Sequence, residues 1–197
     1  DPELLGRVFE NLLAAYNPET RSTARHETGS FYTPREIVDF MVNESIVAHL
    51  CKALPAENDE QKEDNEIRLR LLLEYTDEDS LFSSEEGDLL IEAIDNTRII
   101  DPACGSGNFL YLALLELKNI EHRTNLEAEA LGLARAFPTI GPESVLGIEL
   151  NSYAAELARV SVWIGEIQWM RRNGFTAARN PILRTLDTIE NRDAVLA

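Results

Sequence analysis

The fold is decided by the stretch Asp101-Pro102-Ala103-Cys104-Gly105-Ser106-Gly107-Asn108-Phe109-Leu110, a glycine turn between two apolar segments. The short apolar run Arg98–Ile100 precedes it, and an apolar pattern typical of a helix follows over Asn108–Asn119. A strand that ends in a Gly-x-Gly turn and opens a helix aims backbone N–H groups and the positive end of the helix dipole at a ligand. Glycine suits this turn because a side chain would block that approach. The stretch therefore predicts a strand, a ligand-binding loop and a helix.

The same turn disfavours two common classes of ligand. Gly-Ser-Gly occurs in many ordinary loops, so the strand, acid and helix around it are what favour a ligand site. A dinucleotide site requires Gly-x-Gly-x-x-Gly, but Leu110 stands at the third glycine position. Nicotinamide and flavin binding are therefore disfavoured. The Gly-Lys-Ser/Thr ending of a phosphate-binding loop is missing as well.

Two further segments place an acid after a predicted strand. Val145–Glu149 is a short apolar run that ends in an acid, as a buried parallel strand would, and Glu149 could accept both hydroxyls of a ribose there. The alternative is that Glu149 caps the helix that follows. Asp193 follows the predicted strand Thr185–Ile189 and could accept an adenine amino group. Asp187 competes for that role, and an ordinary solvated acid is the alternative for both.

A helix start precedes the glycine turn. Thr33 is suited to the N-cap and Pro34 to the first turn of a helix whose apolar pattern runs over Glu36–Val47. These preferences alone explain both residues as structural.

Four segments of the chain carry a family resemblance: Gly29–Pro34, Asp101–Leu110, Gly147–Asn151 and Arg192–Leu196. Together they resemble the S-adenosylmethionine-binding region of DNA adenine-N6 methyltransferases, in particular those of type IIG restriction-modification systems. The resemblance covers most of the chain except about Cys51–Thr97.

The resemblance implies a role for each matching residue. Asp101 would lie near the amino acid moiety of S-adenosylmethionine, Glu149 on its ribose, and Asp193 on its adenine. The segment with Thr33 would fold back against the loop and contact the methionine end. The cofactor-binding residues implied in this way are Tyr32, Thr33, Asp101, Pro102, Ala103, Cys104, Gly105, Gly107, Asn108, Phe109, Glu149, Leu150, Asp193 and Ala194. No metal site is expected, because the two cysteines form no metal-binding pattern.

The fold class that follows is α/β. We expect a partial Rossmann-like sheet of the class I methyltransferases, preceded by a helical N-terminal region. The expected strands lie near Arg98–Ile100, Val145–Ile148 and Leu183–Ile189. Residues 1–97 would form the N-terminal region, and residues 98–197 the first part of the S-adenosylmethionine-binding domain.

The charge is unusual for a protein that acts on DNA. The net charge is −17, whereas a surface that faces DNA is expected to be basic. Residues 52–97 hold 15 acidic and 4 basic side chains, so the excess is local. We expect this segment to be a solvated helical insert that faces away from DNA. The sequence shows no secretion signal or membrane span, and a cytoplasmic protein that binds no membrane is expected.

The catalytic motif of the resembled family, Asn/Asp-Pro-Pro-Tyr/Phe, is absent from this sequence, and no catalytic residue is assigned. Asn17-Pro18 lies before the loop, and Asn180-Pro181 is followed by isoleucine. We therefore expect a piece of a longer protein that holds the methyl donor, is inactive alone, and meets double-stranded DNA mostly through other regions. The alternatives are a methyltransferase for RNA or a protein amide, and a non-catalytic module that binds S-adenosylmethionine.

Overall fold

The structure is a computed structural model that describes residues 2–13, 16–17, 22–23, 33–74, 81–130, 137–175 and 185–196. The elements within these ranges are α1 (Pro2–Leu13), β1 (Tyr16–Asn17), β2 (Ser22–Thr23), α2 (Arg35–Leu50), α3 (Asp59–Glu74), α4 (Ser84–Asn96), β3 (Ile99–Asp101), α5 (Asn108–Ala130), a 3-10 turn (Pro142–Ser144), β4 (Val145–Glu149), α6 (Ser152–Arg172) and β5 (Ile189–Asn191). Strands β1 and β2 form an antiparallel pair.

Strands β3, β4 and β5 form a parallel sheet with β4 in the centre. Asp101 pairs in register with Gly147, and Glu149 with Asn191. Because parallel strands point the same way, their carboxyl ends meet at one edge of the sheet, where ligands of open α/β sheets bind. The helices and the parallel sheet confirm the α/β prediction in this coarser form. A complete Rossmann-like arrangement stays a prediction.

The third strand is shorter than predicted and starts later. Residues 185–188 precede β5 in a turn, in which the Ile189 N–H donates to the Leu186 carbonyl at 3.2 Å. Leu186 and Ile189 are both buried, which a turn allows for residues three apart, whereas a strand would place them on opposite faces. The prediction of a strand over 185–188 was therefore wrong, and residues 183–184 lie outside the described ranges.

The helix after Thr33 begins at Arg35, one residue later than predicted. The Pro34 carbonyl accepts hydrogen bonds from the N–H groups of Ile37 and Val38, at 3.1 and 3.2 Å. Pro34 therefore occupies the N-cap that the sequence assigned to Thr33.

The residues form two compact units by their contacts. The first comprises residues 1–38, 98–115 and 142–197, and the second residues 39–97 and 116–141. The units therefore interleave along the chain, and helices α2 and α5 contribute residues to both. The sequence predicted a boundary after residue 97 between an N-terminal region and a cofactor-binding domain. These are functional regions and not contact units, so that boundary stays a prediction.

Small residues bring helix α6 close to its neighbours in the first unit. A Cβ on Gly165 would lie 2.6 Å from the Tyr111 ring, and a Cβ on Gly6 of α1 would lie 2.7 Å from Ser106 Oγ. Three buried alanines line α6, at positions 154, 155 and 158. Close packing of this kind brings α6 against α5, and α1 against the loop after β3.

Within the described residues, the acidic segment 52–97 contains two helices of the second unit, and its predicted position facing away from DNA stays a prediction. The segment forms α3 and α4, and Ser83 caps α4 in a capping box with Glu86. Arg68 neutralises part of the charge, because its guanidinium donates to both carboxylate oxygens of Glu86, at 3.0 and 3.3 Å. That contact lowers the pKa of Glu86 below its usual value.

Within the described ranges, no helix is both long enough and apolar enough to cross a membrane.

Candidate functional site

The loop between β3 and α5 is folded back onto β4 by backbone hydrogen bonds. The Cys104 N–H donates to the Ile148 carbonyl at 3.1 Å, and the Gly107 N–H donates to the Cys104 carbonyl at 2.8 Å. The first bond continues the contact between β3 and β4 beyond the end of β3. The loop therefore lies at the carboxyl edge of the sheet, at the start of a long helix.

The two glycines of the loop serve different purposes. Both have a positive φ, +54° at Gly105 and +81° at Gly107. A Cβ on Gly107 would lie 2.8 Å from the Cα and Cβ atoms of Ala158 in α6, so this glycine permits close packing. A Cβ on Gly105 would meet no described atom within 4 Å. Gly105 therefore leaves open space above the loop, where a ligand could reach the backbone.

Glu149 ties the loop to the end of β4. Its Oε2 accepts the Gly105 N–H and its Oε1 accepts the Asn151 N–H, both at 2.8 Å. A carboxylate offers about four acceptor positions, so each oxygen can accept a further hydrogen bond. The sequence left open whether Glu149 caps the next helix. The side chain of Asn151 does so instead, since it accepts from the Tyr153 and Ala154 N–H groups.

Asp101 adds a second carboxylate beside the loop. Its Oδ1 accepts the Ala103 N–H at 3.0 Å. Burial raises the pKa of this carboxyl above its usual 3.8, and the nearby negative charge of Glu149 raises it further. The loop residues 102–109 contain no lysine or arginine that would balance these acids. Such a site suits a ligand with hydroxyl groups and positive charge, and is unfavourable for a phosphate.

We expect Asp101→Asn to raise the midpoint of thermal unfolding of the ligand-free full-length protein by about 2 °C at pH 7. The folded state holds Asp101 at a raised pKa, so stability is lost as the pH rises from the usual value of 3.8 through the folded value. The amide removes that cost and keeps an oxygen for the Ala103 N–H. Calorimetric scans should show the gain at pH 7 and little gain at pH 4, and a gain that is the same at both would contradict this account.

The Thr33 segment contacts the loop, as the resemblance implied. Asn108 Nδ2 donates to the Thr33 carbonyl at 3.3 Å. Asn108 Oδ1 is buried and finds no hydrogen-bond donor among the described residues. Buried polar atoms are nearly always partnered, so this oxygen is a candidate to accept a donor from a ligand. Tyr32 lies outside the described residues.

The remaining predicted residues lie along the same edge. Leu150 follows β4 and is 71% exposed, as an apolar contact for a ligand would be. Asp193 follows β5, and its Oδ1 accepts the Val195 N–H at 2.8 Å, which fixes the carboxylate in a turn. Ala194, which lies between Asp193 and Val195, is exposed. The predicted site residues therefore lie at the ends of all three parallel strands.

Four loop residues have simpler surroundings. Pro102 and Ala103 are exposed and Phe109 is half-buried. Cys104 is buried. A Cβ added to Gly147 would lie only 2.8 Å from the Cys104 Sγ atom, so the thiol packs directly against this glycine. Burial, with the charges of two nearby carboxylates, raises the pKa of this thiol to about 12. Cys104 therefore fills space in the turn, where its raised pKa disfavours the reactive thiolate form.

Two residues beside β5 were not found from the sequence, Asn191 at its carboxyl end and Arg159 at the turn before it. Asn191 Nδ2 donates to the Glu149 and Leu150 carbonyls, and the Arg159 guanidinium donates to the Leu186 and Ile189 carbonyls. An asparagine two residues before a predicted ligand-binding acid was a usable signal for Asn191. Arg159 carried no such signal, because it lies in the middle of a helix.

Among the described residues, no three His, Cys, Asp or Glu side chains cluster as metal ligands.

Comparisons with known proteins agree on one kind of relative. Residues 80–194 match the family model described as "MmeI, DNA-methyltransferase domain", which is more than half of the chain. A Methanocaldococcus jannaschii protein that is by name a type II restriction enzyme and methyltransferase is 28% identical over 171 residues, which are 85% of this chain and 14% of that protein. DNA methyltransferase A of Bacillus subtilis is 36% identical over 80 residues, which are 40% of this chain and 9% of that protein. The matched part of this chain thus spans 14% of the length of the first relative and 9% of the length of the second.

One solved structure has the same fold over the whole chain. It is described as the type IIL restriction-modification enzyme MmeI in complex with DNA, and it matches with a TM-score of 0.69 and 18% identity. The match covers 100% of this chain and 23% of that one. At this identity the likeness shows the fold.

Proposed function

Since the chain belongs to the family of MmeI DNA-methyltransferase domains, we propose that it binds S-adenosylmethionine at the loop between β3 and α5. The protein that contains it would transfer the methyl group to the N6 amino group of adenine in duplex DNA. It would do so as part of a restriction-modification system, the class named for the Methanocaldococcus jannaschii relative and for MmeI.

One observation carries the proposal: Glu149 Oε2 accepts the Gly105 N–H at 2.8 Å. This bond holds a carboxylate with free acceptor capacity directly beside the glycine that leaves open space. A ribose in that space would find acceptors for both hydroxyls, and the loop backbone would stay accessible beneath the rest of the ligand.

The acceptor groups of the site fit S-adenosylmethionine better than a nucleotide. This molecule carries an adenosine, a positively charged sulfonium and an amino acid end with both an ammonium and a carboxylate group, so its net charge is positive. The carboxylates of Asp101 and Glu149 favour positive charge and hydroxyls, and the buried Asn108 Oδ1 favours a donor. Asn108 also donates to the Thr33 carbonyl, so the methionine end would lie beside these two residues, within reach of Asn108 Oδ1. Asp193 and Ala194 would hold the adenine.

Bound S-adenosylmethionine supplies an electrophilic methyl group on its sulfonium. The described residues of the site would bind and orient that donor. Orientation is a large part of such a reaction, since the attacking nitrogen, the methyl carbon and the sulfur must lie in line. The adenine would have to leave the DNA stack to reach the methyl group, as bases do in other methyltransferases.

The test uses the full-length protein with S-adenosylmethionine labelled in its methyl group and duplex DNA of mixed sequence. After digestion to nucleosides, we expect the label in N6-methyladenine. Label in cytosine would refute the adenine assignment, and label only in added RNA or protein would refute DNA as the substrate. Cofactor binding with no transfer to any of these would identify a non-catalytic module. The variant Glu149→Gln should lose most of the transfer at low cofactor concentration.

A further inference from the structure

Asn191 is the last residue of β5 and joins the carboxyl ends of two strands. Its Nδ2 donates to the Glu149 carbonyl at 2.8 Å and to the Leu150 carbonyl at 2.9 Å. The Arg192 N–H also donates to the Glu149 carbonyl, at 3.1 Å, so the regular ladder between β4 and β5 ends there. The Asn191 amide extends this ladder to a carbonyl that the backbone of β5 does not reach.

That further carbonyl belongs to a peptide group with a second role. The Leu150 carbonyl and the Asn151 N–H are the two ends of one peptide, and this N–H donates to Glu149 Oε1 at 2.8 Å. A peptide group is planar, so fixing its oxygen fixes the direction of its N–H. Asn191 is therefore connected to the Glu149 carboxylate through one rigid group and two hydrogen bonds.

Among the described residues, the Glu149 carboxylate accepts only one other backbone hydrogen bond. The Gly105 N–H holds Oε2, and the peptide that Asn191 orients holds Oε1. With both contacts, the carboxylate cannot rotate freely. If the peptide between residues 150 and 151 could turn, Oε1 would lose its partner and only the contact with the loop would remain.

We propose that Asn191 is a positioning residue that orients Glu149 toward the ribose of the cofactor. The inference rests on the proposed function, because it takes S-adenosylmethionine as the ligand and Glu149 as the group on its ribose. Asn191 does not itself need to touch the cofactor. Its side chain acts through the peptide after β4 and also holds the exposed Leu150 in place.

A structural role alone is the competing explanation, and the ribose separates the two. If Asn191 only stabilised the sheet, its loss would weaken every ligand of the site to the same degree. If it orients Glu149, its loss weakens ligands that carry ribose hydroxyls more than ligands that lack one. The informative quantity is therefore the ratio of two affinities.

The experiment measures binding of S-adenosylhomocysteine and of its 2′-deoxyribose analogue to the full-length protein by calorimetry. The wild type should prefer the ribose form by about tenfold or more, since a hydrogen bond to a charged group is involved. Asn191→Asp removes the amide donor and turns a carboxylate toward two carbonyls. We expect it to weaken S-adenosylhomocysteine by about tenfold and to reduce the preference to about twofold.

Two further variants make the result decisive. Asn173→Asp is the matched control, because Asn173 Nδ2 donates to the Trp169 carbonyl at 2.9 Å at the end of α6. This control should keep the ribose preference. Asn191→Ala, which adds no charge, gives the same comparison if Asn191→Asp does not fold.

An unchanged ribose preference in both Asn191 variants would overturn this inference and leave the proposed function standing. No binding of S-adenosylhomocysteine by the wild type would overturn the proposed function itself.

Discussion

Gly107→Ala is expected to destabilise the loop region by about 2–4 kcal/mol and to abolish measurable cofactor binding. Two costs add at this position. Its φ of +81° is strained for any residue with a side chain, and the new Cβ would lie 2.8 Å from the Cα and Cβ atoms of Ala158. Ala158 lies within a helix and is fully buried, so neither partner can move away cheaply. Urea unfolding of the full-length protein, with hydrogen exchange read at peptides that cover residues 101–110, measures the effect.

Gly105→Ala is the matched control. The residue lies two positions away in the same loop and also has a positive φ, +54°. Its Cβ would meet no described atom, so we expect a stability loss of only about 1 kcal/mol. The Cβ would instead occupy the space proposed for the cofactor, and the affinity should fall by about tenfold. Equal destabilisation by the two variants would contradict the roles assigned to these glycines.

Glu149→Gln is expected to weaken S-adenosylmethionine binding by about 100-fold. The carboxylate accepts two backbone N–H groups, one on each oxygen, while a glutamine amide has a single acceptor oxygen. One of the two N–H groups would therefore face an NH2 group, and the loop would shift. The ribose hydroxyls would lose a charged acceptor at the same time. Calorimetric titration of the full-length protein measures the change.

Glu190→Gln provides the comparison for that measurement. Glu190 lies in β5 one residue from the partner of Glu149, is exposed, and pairs with Arg192. Because this acid does not contact the loop in any described hydrogen bond, the affinity should change by no more than about twofold. Similar losses in both variants would indicate a general effect of charge and would exclude a specific role for Glu149.

The positions of the main site residues could be predicted because they depend on short stretches of sequence. A glycine turn after an apolar run implies a loop at a strand end, and parallel strands bring their ends together. Asp101 and Glu149 therefore lie at one edge of the sheet, as the sequence indicated. The helix after the loop was predicted as well, but it continues to Ala130, beyond Asn119.

The features that the sequence did not give depend on contacts between distant residues. The different roles of Gly105 and Gly107 depend on where α6 crosses the loop, at Ala158. The late start of β5 depends on Arg159, whose guanidinium holds the turn before that strand. No local pattern contains such information, because each case joins segments about thirty or more residues apart.

Direct titration tests whether the loop after β3 and Glu149 form the proposed site for S-adenosylmethionine. Calorimetry on the full-length protein should show one binding event for S-adenosylmethionine, competition by S-adenosylhomocysteine, and no binding of ATP at the same site, because the carboxylates of Asp101 and Glu149 disfavour phosphates. Absence of S-adenosylmethionine binding, or ATP binding in competition with it, would contradict the claim.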